Sequence, residues 1–246
     1  MLKPLNILTT ILFLAIFFNS TAQEHLKHEK WTALLTKYVD VEGHVNYAGF
    51  KKDEAALDEY LAVLSANHPQ DIWDKDDVLA FWINAYNAFT VKLIVKNYPV
   101  KSIKELGGAI YKVNTPWDIK FIKIGDEVYD LNNIEHGIIR KEFSEPRIHF
   151  AVNCASVSCP RLRNEAFVGS RIEEQLEDQA RYFINNSAKN KITKKCAELS
   201  KIFTWFKGDF TANGGTVEDF INKYSEIKIT KKTRGKSLDY DWNLNE

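Results

Sequence analysis

The stretch His149–Pro160, HFAVNCASVSCP, brings together a histidine, an asparagine, two serines and two of the chain's three cysteines. Catalysis by a thiol needs an imidazole within hydrogen-bond reach and a group that orients the imidazole. The chain offers Cys159 or Cys154 as the sulfur, His149 or His136 as the base, and Glu135, Asn84, Asn87 or Asn153 as the orienting group. Cys159 is the better-placed sulfur, because it stands just before Pro160, where a turn or helix can start and its free N–H groups would stabilise a thiolate.

Other chemistries compete for the same residues. A Cys154–Cys159 disulfide would close a small ring that contributes roughly 2 kcal/mol before strain. Zinc could draw on His136, His149, Cys154 and Cys159, but four residues between the cysteines suit tetrahedral ligation poorly, and no metal is expected. The spacing is not C-x-x-C, so thioredoxin-type exchange has no motif behind it. Ser156 and Ser158 lie in no G-x-S-x-G elbow and are read as binding groups. With no phosphate loop, G-x-G-x-x-G or H-E-x-x-H in the chain, no cofactor is expected.

The elements that must position these residues follow from periodicity. Asp77–Val95 carries apolar residues on every side, which predicts a helix buried at the centre of the domain. Asn84 and Asn87 share one face of it, and a buried amide must be paired, either with neighbouring backbone or along a polar pocket wall. Arg147–Cys154 predicts a strand, with His149, Ala151 and Asn153 on one face and Phe150, Val152 and Cys154 on the other. A helix from Asn132 or Asn133 would point Ile134, Ile138 and Ile139 inward and set His136 and Arg140 together on another side.

Further helices are predicted from Trp31 to near Glu42-Gly43, around Leu57–Leu64 with Asp53 as cap, from a Ser170–Glu173 capping box through Ile184, and over Thr216–Tyr224. Phe121–Leu131 reads as a hairpin about Gly125-Asp126, and Glu198–Phe206 and Lys228–Lys232 as strands. The expected fold class is α+β: one domain whose buried central helix packs with other helices against a mainly antiparallel sheet.

The chain begins with one lysine, an apolar run from Ile7 to Phe18, and the small residues Ser20-Thr21-Ala22. This predicts a signal peptide over residues 1–22, cleaved before Gln23, and an exported, periplasmic or secreted domain over 23–246 with no stable membrane insertion after cleavage. Lys+Arg and Asp+Glu both number 33, which steers nothing toward nucleic acid. The basic run Lys228–Lys236 reads as a solvated edge. A hydrophobic share of 45% supports a real core.

Six blocks, FWINAYNAF (81–89), IEHGIIR (134–140), HFAVNCASVSCPRL (149–162), LEDQARYFINN (176–186), FTWFKGDF (203–210) and YDWNLN (240–245), together resemble the domain of unknown function 547 family. The resemblance extends to exported bacterial proteins and to plant proteins in which the domain accompanies leucine-zipper or glutaredoxin-like modules, and it implies no particular activity. Its pattern falls on Asn84, Tyr86, Asn87, Glu135, His136, Arg140, His149, Asn153, Cys154, Ser156, Ser158, Cys159 and Pro160, with Arg161 where a second proline is expected.

The expected function is a cysteine-dependent hydrolase or acyltransferase acting on an amide or ester of the cell envelope. Cys159, Cys154, His149, His136 and Glu135 would be catalytic; Asn84, Tyr86, Asn87, Arg140, Asn153, Ser156 and Ser158 would bind a small-molecule or peptide substrate. The rival is a non-catalytic binding or structural domain in which Cys154 and Cys159 are bridged or buried.

Overall fold

The computed structural model describes residues 26–107 and 115–246, so the expected signal peptide lies outside the described residues. Helices surround one long central helix, and the strands lie at the periphery. The fold is α+β.

α1 (Glu29–Tyr38) buries Trp31, Leu34 and Leu35, and Trp31 stacks on Tyr60 at 5.4 Å. The helix stops at Tyr38 rather than near Glu42-Gly43, because β-branched Val39 turns extended and bridges Val45 across a bend in which Gly43 takes φ 89°. α2 (Tyr47–Lys52) and α3 (Glu54–Ala66) follow. Asp53 precedes α3 without capping it, since its carboxylate accepts from Lys37 Nζ and Tyr38 Oη instead.

α4 (Lys75–Asn97) is the central helix, with Asp76 and Asp77 in the first turn where the helix dipole favours acids. Its apolar window is long enough to cross a membrane, yet 89% of that window is buried within the domain. It is the core helix.

The predicted hairpin forms from β1 (Ile122–Ile124) and β2 (Glu127–Tyr129), antiparallel about Gly125 at φ 60°, and Tyr129 of β2 meets Trp82 of α4 edge-on at 5.4 Å. The next helix is a π-turn, Asn133–Ile139, running into α5 (Arg140–Glu142). Ile134 and Ile139 are buried as predicted, whereas Ile138 is half-exposed, because the wider turn rotates it outward.

Two strand predictions fail for identifiable reasons, and a third fails in part. Pro146–Phe150 is a 3-10 turn and not the start of a strand, because Pro146 supplies the first helical φ and the Glu145 carboxylate accepts the Arg147 N–H at 2.9 Å. The two-face separation of His149 from Cys154 therefore does not exist. Lys228–Lys232 forms no strand, since both backbone groups of Ile229 are taken at 2.8 Å by the Asn222 side chain. Glu198–Phe206 is strand only at its start: β4 (Cys196–Leu199) ends, and α7 (Ile202–Trp205) and α8 (Lys207–Phe210) follow, burying Ile202, Phe203 and Phe210 at helical spacing.

α6 (Ile172–Asn185) starts from a 3-10 turn at Gly169–Arg171, so Ser170 does not cap it, while the predicted stripe Ile172, Leu176, Ala180, Phe183 and Ile184 is buried. α9 (Val217–Tyr224) carries the Thr216 capping box. β3 (Lys191–Ile192) pairs antiparallel with β4, and β5 (Arg234–Ser237) pairs parallel with it.

Two cores result. One surrounds α4; the other joins Phe150 to Phe183, Phe203, Phe210 and Tyr224. The last residues run across both: Val157 N–H donates to Asn243 O at 2.8 Å, Leu244 N–H to Lys101 O at 3.0 Å and Val45 N–H to Asn245 O at 2.7 Å.

Candidate functional site

Where the two cores meet, a cavity of about 280 Å³ opens. α4 presents Tyr86, the short turn Pro116–Asp118 presents Trp117, and the π-turn presents Glu135 and His136. Asp130 nucleates that turn by accepting the Asn133 N–H at 2.6 Å. The 3-10 turn contributes His149, the loop after it Cys154 and Cys159, and the start of the second core Ile202, Trp205 and Phe206. Tyr240 and Trp242 from the C-terminal crossing segment complete the wall, their rings 4.5 Å apart.

The ionisable groups are arranged by burial. Glu135 lies at the cavity, 7% exposed, and burial pushes its carboxyl up to about 7 against the opposing hydrogen bond from Tyr86. Tyr86 in turn accepts from the Trp117 indole. His136 is held below the ordinary histidine range, by burial first and by Arg140 second. Its Nδ1 lies 3.1 Å from Arg140 Nη1. A guanidinium only donates, so Nδ1 accepts and neutral His136 carries its hydrogen on Nε2.

Arg140 binds Asp209 through Nε at 2.6 Å and Nη2 at 2.9 Å. The same carboxylate takes His149 Nε2 at 2.7 Å, and its hydrogen bonds keep it below the ordinary aspartate range. His149 is 2% exposed, stacked on Phe206 at 3.8 Å, and burial lowers its pKa to about 4 despite Asp209. The neutral ring donates from Nε2 and leaves a lone pair on Nδ1, a buried atom without a hydrogen-bond partner.

Cys154 and Cys159 are bridged. The expectation of a free Cys159 thiol is thereby corrected: a disulfide sulfur is no nucleophile, and Cys159 is only 3% exposed. The partners of the two sulfurs are the Cys154 N–H, Ser156 Oγ and Tyr240 Oη. Both imidazoles are engaged elsewhere, with Arg140 and Asp209. The bridge also removes both sulfurs from the zinc set.

Asn84, Asn87 and Asn153 stand outside the cavity wall. Asn84 ties both backbone groups of Phe167, at 2.7 and 3.0 Å, and Asn87 spans Ala151 O at 2.9 Å and Asn153 N–H at 2.8 Å. Asn153 closes the cysteine loop by donating to Pro160 O at 2.7 Å and accepting from Ala155 N–H at 2.8 Å. Ser158 Oγ accepts the Asp241 N–H at 2.8 Å, while Ser156 Oγ donates to Tyr240 Oη at 3.4 Å. Arg140 sits behind the cavity, opening instead onto a second hollow with Asp209 and Glu145.

The arrangement thus brings Tyr86, Glu135, His136, His149, Cys154 and Cys159 together on one cavity wall. Sequence reasoning missed Asp209, Trp117, Trp205, Tyr240 and Trp242. The only signal for four of them was the pair of blocks FTWFKGDF and YDWNLN, which contain Trp205, Asp209, Tyr240 and Trp242.

An α+β domain with an aromatic-walled cavity, a buried acid at its edge and a bridged cysteine loop is the class of protein these features define. A family model described as protein of unknown function, DUF547, matches residues 70–184, and this segment of the chain is similar to that family. The segment contains Tyr86, Trp117, Glu135, His136, His149 and both bridged cysteines, and ends before Trp205, Asp209, Tyr240 and Trp242. No curated protein and no solved structure matches the chain.

Proposed function

We propose that the chain is an exported binding domain for an uncharged, flat-faced ligand with a hydrogen-bonding edge, such as a sugar ring of the cell envelope. Export is supported by the charged start, apolar run and small residues at 1–22. The observation that carries the ligand class is the composition of the cavity wall. Trp117, Trp205, Tyr240 and Trp242 offer ring faces, while Glu135 and His136 offer hydrogen bonds without a fixed positive charge.

An anionic ligand would find no Lys or Arg among the described residues of this wall to neutralise it. Glu135, titrating at about 7, can donate to a ligand oxygen when protonated and accept from a hydroxyl when ionised. That property also suits it to general acid–base work on the bound ligand. The bridged cysteines favour this reading over the thiol hydrolase.

Tryptophan fluorescence of the purified protein, titrated with N-acetylglucosamine and its dimer, tests the proposal. Saturable quenching that disappears in Trp242→Ala is expected. A linear response, or equal quenching in the variant, would overturn it.

A further inference from the structure

We propose that the Cys154–Cys159 bridge exchanges with a small thiol admitted to the cavity, Cys154 being the sulfur attacked and Cys159 the sulfur that leaves. This goes beyond the binding role and uses different atoms of the same hollow.

Three observations point to it. First, the bridge lines the cavity instead of being sealed in a core. Second, its two ends differ: Cys159 is 3% exposed, whereas Cys154 is half-buried and open to approach. Third, the buried sulfur already faces two donors, the Cys154 N–H at 3.0 Å and the Tyr240 hydroxyl at 3.3 Å. Donors aimed at a sulfur stabilise its thiolate and make it the better leaving group.

The loop does not need the bridge to keep its shape. Asn153 clamps it at both ends, Cys159 N–H donates to Ser156 O at 3.0 Å, and Val157 and Ser158 N–H donate to Asn243 O at 2.8 Å and Asp241 O at 3.1 Å. A ring this short also restrains the unfolded chain little. Ala155 within it holds φ 59°, a conformation alanine rarely adopts and one that recurs at working sites.

In the reaction, a thiolate RS⁻ attacks Cys154 Sγ and forms R–S–S–Cys154. The Cys154–Cys159 bond breaks, and its electron pair leaves on Cys159 Sγ, which is held by Tyr240 and the Cys154 amide until it takes a proton from water. A second thiolate attacks the R sulfur of the mixed disulfide and releases Cys154. The balance is two RSH oxidised to RSSR and one protein disulfide reduced to two thiols. The aromatic walls favour an apolar thiol over one carrying carboxylates.

The test uses folded protein carrying Cys196→Ser, which removes the free cysteine, with benzyl mercaptan as probe and glutathione as the charged comparison. Acid-quenched samples are mapped by peptide mass spectrometry. An adduct on Cys154, formed faster with benzyl mercaptan and about three- to tenfold slower in Tyr240→Phe, is expected. Reaction only after denaturant is added, or an adduct on Cys159, would overturn the proposal. Cys159→Ser, checked for folding by circular dichroism, leaves Cys154 as a free thiol that should take up dibenzyl disulfide as a stable R–S–S–Cys154 adduct, one equivalent of benzyl mercaptan leaving. Sugar titration of the same samples keeps this outcome separate from that of the binding role.

Discussion

His149 donates from Nε2 to the Asp209 carboxylate across 2.7 Å, although 60 positions separate them in the chain. Arg140 grips the same carboxylate through two nitrogens, so one acid from α8 fixes both a buried imidazole and the guanidinium behind the π-turn. Replacing it, as Asp209→Asn, leaves Arg140 without its charge partner and one His149 hydrogen bond weakened. The expected loss is about 1.5–3 kcal/mol in urea unfolding at pH 7. An unchanged midpoint would mean that the pair contributes nothing to folding.

Glu135 and His149 should impose opposite pH slopes on stability. The Glu135 carboxyl rises from an ordinary 4.5 to about 7 in the fold, so the folded state holds its proton while the unfolded chain loses it. Its stabilising effect is complete below 4.5 and lost as pH rises toward 7. His149 falls from 6.5 to about 4, so the unfolded chain takes up a proton first and stability is lost as pH falls from 6.5 toward 4. His136, also lowered, acts in the same sense as His149.

Each effect is on the order of 3 kcal/mol, and in the parent protein they largely cancel between 4.5 and 6.5. Glu135→Gln should therefore gain stability as pH rises through that window, and His149→Gln should lose it, in urea unfolding at half-unit steps. Parallel slopes in the two variants would contradict the assignment.

Asn87→Ala should destabilise strongly without touching the cavity wall. It strands the Ala151 carbonyl and the Asn153 N–H, and each unpaired buried group costs about 1–3 kcal/mol. Asn87→Asp should not rescue, because a carboxylate cannot donate to Ala151 O. Thermal unfolding of the two variants decides this.

The crossing C-terminal segment is anchored by Tyr47, whose hydroxyl donates to Asn245 Oδ1 at 2.8 Å with its side chain wholly buried. Asn245→Ala should cost about 1–3 kcal/mol by leaving that hydroxyl unpaired, and adding Tyr47→Phe should recover part of the loss. Equal midpoints for the single and double variants would show that the hydroxyl finds another partner.

Periodicity reported the elements that bury a continuous stripe. α6, α9 and the β1–β2 hairpin were legible because their apolar residues repeat at 3.6 or 2, and α4 because it is apolar on every side over a long run. The segment from Arg147 was misread because alternating Ile148, Phe150 and Val152 also fits a short turn packed on both sides. What decided between the two was the Glu145 carboxylate beside Pro146. The strand expected at Lys228–Lys232 failed for a similar reason, since the side chain of Asn222, inside α9, claimed the backbone of Ile229.

From the sequence alone came the α+β class, the central helix, the pairing need of Asn84 and Asn87, and most of the polar residues that meet at the cavity. These follow from local rules: side-chain type, spacing, and the cost of burying an unpaired amide. Only the tertiary structure decided that the sulfurs are joined to each other and not paired with an imidazole, that His149 answers to Asp209, and that Tyr240 and Trp242 close the wall. The bridge turns on the local backbone of a short loop, but the other choices depend on which distant segments are pressed together when the two cores close, and residue spacing carries no record of contacts across 60 or more positions.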